Sequence, residues 1–105
     1  MLRVHPDVLR VDVPEATAYY DEIDPNLGDR LSQLIVDALH QIEAHPLVFA
    51  EYVTGFRRVV LVPFPYLLAF AVHDDAINID ALLHVKRDPV TNEIILRSRG
   101  RAAGA

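Results

Sequence analysis

Between Leu31 and Ile42 the apolar residues Leu31, Leu34, Ile35, Ala38, Leu39 and Ile42 recur three or four positions apart. That spacing predicts an amphipathic helix with one buried stripe. Asp24 or Asn26 is placed to cap its start and Pro46 to end it. Ahead of it, Ala16, Tyr19, Tyr20, Ile23 and Leu27 repeat the same period and predict a first helix. Its start is read at Asp12, with Pro14 in the first turn and Glu15 in capping-box spacing. Pro25 disfavours a helical Asp24 and so separates the two helices. Joined this tightly, they form a hairpin whose stripes need a common apolar partner. The stretch RVHPDVLRV before them reads as a short opening strand, which Pro6 keeps at an edge or end of the sheet.

The partner is a sheet, because Phe56 to Val85 is strand-like throughout. A two-residue turn at Asp74 and Asp75 pairs His73 with Ala76. Continued inward, it pairs Val72 with Ile77, Phe70 with Ile79, Leu68 with Ala81 and Tyr66 with Leu83. The interleaved pairs, Ala71 with Asn78, Ala69 with Asp80, Leu67 with Leu82 and Pro65 with His84, are mixed or polar. A one-residue slip would exchange the two faces, so burial specifies the register. The expectation is an α+β fold: an N-terminal strand, a helical hairpin, then a three-stranded antiparallel meander. The helices cover the face carrying Tyr66, Leu68 and Phe70, while Asn78, Asp80 and His84 line an open one.

At 105 residues the chain is expected to form one domain, 1–105, with 97–105 a mobile tail. Half of it is hydrophobic and none of it is cysteine, which excludes disulfides, thiolate metal sites and a cysteine nucleophile and points to the cytoplasm. The apolar run Val59 to Val72 contains two prolines and is too short to span a bilayer, so no membrane partner is expected. Net charge is −5 but uneven, with −7 in residues 1–55 and +2 in 56–105.

Candidate chemistry is sparse. His40 and His45 are five apart and fall on different helical faces, and His5, His73 and His84 sit on separate strands, so no metal site is expected. Ser32 and Ser98 are the only serines, and no Ser-His-Asp set can be assembled. The glycines form no phosphate-cradling loop, and no cofactor is expected. Adjacent on a strand, Arg57 and Arg58 point to opposite faces. One is expected at the surface and the other paired with Asp21, Glu22 or Asp24.

In order and spacing, three segments, YYDEIDPNLGDRLSQLIVDALHQIEAHP, GFRRVVLVPFPYLLAF and DDAINIDALLHVKRDP, resemble the RelE/ParE superfamily of toxins from bacterial type II toxin–antitoxin systems. The resemblance covers Asp12 to Pro89. Its most specific parts are Arg57-Arg58 leading to Phe64-Pro65-Tyr66, and the ending His84, Arg87, Asp88, Pro89. It implies a cytoplasmic toxin bound by a cognate antitoxin, with Arg57, Arg58 and Arg87 as partner-binding groups. RelE-like members cut mRNA on the ribosome; for that activity Arg58, His84 and Arg87 are the candidate catalytic residues. ParE-like members lack the catalytic groups and inhibit DNA gyrase. After Pro89 this chain has no Tyr or His, and cleavage by 2′-hydroxyl attack needs a proton acceptor and charge stabilisation. The sequence is therefore closer to ParE. The alternatives are an mRNA endonuclease and a non-toxic interaction module.

Overall fold

The computed structural model describes residues 1–104, with side chains described through residue 100. The opening strand is short: β1 spans Leu2–Val4, and the chain then tightens into a π-helical turn at Val8–Asp12. Pro6, lacking an N–H, cannot extend the ladder. Two helices follow, α1 at Val13–Ile23 and α2 at Pro25–Ala44, and then β2 at Glu51–Val53, β3 at Phe56–Val60, β4 at Tyr66–His73, β5 at Ala76–His84 and α3 at Pro89–Gly104. The α+β class and the hairpin are as expected. The sheet has five strands rather than a meander of three plus the opening strand, in the order β1-β5-β4-β3-β2. β1 runs parallel to β5, and the other neighbours are antiparallel.

The break between α1 and α2 falls where Pro25 put it: Asp24 is extended, and its carboxylate accepts the Asn26 N–H at 2.9 Å. Leu31, Ile35, Ala38 and Ile42 of α2 and Ala16 of α1 pack on Leu68, Phe70, Ile77, Ile79 and Leu82 of the sheet. Leu31, Leu68, Phe70 and Ile79 are completely buried, and each large apolar side chain so removed from water contributes about 1.5–3 kcal/mol. The α1 stripe is thinner than its periodicity implies, since Tyr19 and Ile23 are exposed.

The β4–β5 register follows the expectation from His73↔Ala76 to Phe70↔Ile79 and then shifts. Asp80 is an extra residue in β5, a β-bulge, so Ala69 pairs with Ala81, Leu68 with Leu82 and Tyr66 with His84. Every pair beyond it is corrected by one position. The consequence is an exchange of faces: Leu82 and His84 join the side of Tyr66 and the hairpin, while Ala81 and Leu83 turn to the opposite side. Asp80 itself is 1% exposed, so it does not line an open face.

That opposite face is covered. The segment expected as a tail from residue 97 belongs to α3, at least through Gly104; Arg97 and Ser98 are exposed and Arg99 and Gly100 half-buried, and the side chains of 101–105 lie outside the described residues. Asp88 accepts the Val90 N–H at 2.9 Å and Pro89 occupies the first turn, a helix start of the same Asp-Pro form as Asp24-Pro25. Leu96 is buried on Phe56, Leu67, Ala69, Ala71, Ala81 and Leu83. Three alanines in that set leave room for a helix backbone to lie close. Asn92, fully buried, donates to the Tyr52 hydroxyl at 3.1 Å. Among the described residues no helix is long and apolar enough to cross a membrane.

Candidate functional site

Asp12 does not cap α1, as the capping-box spacing implied; no side-chain bond is made there. Its carboxylate turns to the sheet instead. Oδ2 accepts the Leu82 N–H at 3.0 Å, and the two oxygens take both terminal nitrogens of Arg99 at 2.5 and 3.0 Å. The same guanidinium donates to the Asp80 carbonyl at 3.0 Å. Arg99 thus ties α3, the α1 entrance and the bulge together, and bonding to Asp12 raises its already high pKa further.

In front of this knot lies a cleft of about 680 Å³ between α1 and the end of β5. Glu15 and Tyr19 of α1 form one wall, Tyr66 and His84 the other, and Lys86 and Arg87 the rim. The bulge is what brings His84 here. Its ring lies edge-on to Tyr66 at 5.3 Å between centroids, while Tyr66 in turn packs edge-on to Tyr20. Burial raises the Tyr66 pKa, with Arg87 acting against it, so at neutral pH the phenol keeps its proton. His84 Nδ1 accepts the Lys86 N–H at 3.1 Å, and the Arg87 N–H bonds the His84 carbonyl at 3.1 Å. A neutral His84 in that turn carries its proton on Nε2 and offers the cleft a donor.

The predicted site residues divide into separate places. His84 and Arg87 share the cleft. Arg58 pairs with Ala69 and lies on the α3 side of the sheet. Arg57 pairs with Phe70 on the hairpin side, but its guanidinium donates to the Phe49 carbonyl at 2.7 Å and the Leu47 carbonyl at 3.4 Å. It binds the connection after α2, not a carboxylate of Asp21, Glu22 or Asp24. Among the described residues, the ion pairs are Arg97–Glu93 and Arg99–Asp12. The same residues contain no group of three or more His, Asp or Glu able to hold a metal. Sequence reasoning missed Asp12 and Arg99, whose partnership spans 87 positions. The Asp88-Pro89 cap was the available signal that Arg99 lies on a helix.

No protein-family model matches the chain. It is similar to Toxin ParE2 of Mycobacterium tuberculosis, in two strains, with 37% identity over 99 residues that make up 93% of each chain. Likeness of that degree over nearly the whole chain shows the family: the chain belongs to the ParE toxins of toxin–antitoxin systems.

Proposed function

We propose that this protein is the toxin of a type II pair, held inactive by a cognate antitoxin, and that once freed it arrests growth in the cytoplasm by inhibiting DNA gyrase and not by cutting RNA. The observation that carries the second half is the scattering of the candidate catalytic groups. Arg58 lies on the opposite side of the sheet from His84 and Arg87, and His84 presents a donor where 2′-hydroxyl attack needs an acceptor. The 37% identity to a ParE toxin supports the same reading. Antitoxin recognition is assigned to Arg87 at the cleft rim and to the strand residues Arg57 and Arg58.

The competing reading, a ribosome-dependent mRNA endonuclease, is favoured by one feature, the concentration of His84, Lys86 and Arg87 around a single cleft. The experiment is controlled expression with parallel readouts, together with purified protein in a gyrase supercoiling assay. The expected result is inhibited supercoiling and a DNA-damage response with bulk mRNA intact. Rapid codon-biased mRNA cleavage overturns it in favour of the endonuclease, and normal growth at high levels of folded protein overturns it in favour of a non-toxic module.

A further inference from the structure

Asp80 is the extra residue of the β5 bulge, 1% exposed, and neither of its carboxylate oxygens has a hydrogen-bond partner among the described residues. A buried carboxylate normally sits in an ion pair or a set of N–H donors, because leaving it unpaired costs several kcal/mol. His73 lines the same cleft as Asp80 and acts on it only as a charge, and the two arginines nearby are committed elsewhere. Arg99 gives its side-chain bonds to Asp12 and to the Asp80 carbonyl. Arg97 is held by Glu93 and the Thr54 carbonyl and lies 5.7 Å from the centre of the Phe56 ring. Both Asn78 and Asp80 reach a cleft of about 360 Å³ between the β2–β3 turn, the β4–β5 hairpin and α3.

We propose that this cleft is a binding site for a cationic side chain, guanidinium or ammonium, carried by a partner polypeptide, with Asp80 as its counter-ion and Asn78 as a second acceptor. The cleft offers an acidic group at its floor, with Asn78 beside it in the lining. A neighbouring cleft on the β1 side also reaches Asn78 and Asp80, between Arg3, Val4, His5, Pro6 and Ile79. The partner is a polypeptide because the sheet ends at β2, whose outer edge, beside the proposed cleft, offers main-chain groups to an added strand. Burial without a partner raises the Asp80 pKa to about 6, against the opposing pull of His73 and Arg99, as expected of a site awaiting a positive charge. The inference is independent of the gyrase reading, and a failed supercoiling assay leaves it unaffected.

The test is a titration of isotope-labelled full-length protein at pH 7.5 with N-acetyl-arginine amide and N-acetyl-lysine amide, using the citrulline analogue as the uncharged control. The expected result is saturable shifts of the Gly55, Phe56, Asn78, Asp80 and Gly100 amides, at least tenfold weaker with citrulline and abolished by Asp80→Asn. Equal response to citrulline, no response at those amides, or persistence in Asp80→Asn overturns the proposal. A second measurement needs no variant. The Asp80 carboxyl carbon, titrated with pH, moves its midpoint downward when the arginine probe saturates, and an unmoved midpoint overturns the proposal. The other groups around Asp80 that bear on that midpoint are His73, Arg97 and Arg99 on the α3 side and Arg3 and His5 on the β1 side.

Discussion

Arg99 grips Asp12 through two nitrogens across 87 residues of chain, with both side chains at most 15% exposed. Fork geometry makes this the strong form of an ion pair, and removing one partner strands the other charge in a site built to exclude water. Arg99→Ala is therefore expected to lose about 2–4 kcal/mol in urea denaturation. It also accelerates amide exchange along α3 more than along α2. Asp12→Asn costs less, because the amide oxygen still accepts the Leu82 N–H. A negligible loss in Asp12→Asn, which strands the Arg99 charge, argues against an electrostatic lock.

Asp80 gives stability an unusual pH dependence. A carboxyl group whose folded pKa exceeds its unfolded value holds its proton more tightly in the folded chain. Its contribution is therefore fully present below pH 3.8, declines from there to about 6, and is lost above that. At 1.36 kcal/mol per pH unit the decline is about 3 kcal/mol. Asp80→Asn flattens this segment of the stability profile and leaves the variant more stable than the parent at pH 7.5 by about 1–3 kcal/mol. A variant with the parent's slope between pH 4 and 6 would assign the slope to another group.

Phe70 is fully buried and meets Phe49 edge-on at 5.8 Å. Phe70→Ala is expected to cost about 3–5 kcal/mol by chemical denaturation. A loss below about 1 kcal/mol contradicts the packing of the hairpin on this face.

Two arginines expected at the partner surface separate under charge reversal. Arg87 is exposed, and Arg87→Glu leaves the fold intact while weakening binding of an acidic antitoxin segment by at least about 1 kcal/mol in calorimetry. Arg57→Glu also removes the bonds to the Phe49 and Leu47 carbonyls and sets a carboxylate against them, so it lowers stability with no partner present. Unchanged affinity in folded Arg87→Glu removes that residue from the interface.

The helical hairpin was legible because burial leaves a 3.6-residue period and Asp24-Pro25 marks the break. The β4–β5 turn was legible too, and half the register with it. Even so, a bulge conserves the alternation of apolar residues on either side of it, and Leu82 and Leu83 are both apolar, so nothing in the pattern distinguishes which of them faces the hairpin. A carboxylate in mid-strand was the one irregularity at that point, and it was assigned to solvent. α3 was missed because its stripe is short and its partners are alanines, whose burial carries little hydrophobic signal, although Asp88-Pro89 repeated a cap already recognised. The Asp12–Arg99 pair leaves no periodic trace at all.

Because β5 lies between β1 and β4, the first strand made has its place against the last. During synthesis α1 and α2 leave the ribosome with Leu31, Ile35, Ala38 and Ile42 exposed, since their cover on β4 and β5 has yet to be translated. Pairings this distant in sequence close slowly, and exposed apolar surface is prone to wrong association meanwhile. A nascent chain thus passes most of its translation without the strands that cover the hairpin, and a message broken before the codon for Tyr66 yields a hairpin that lacks both β4 and β5.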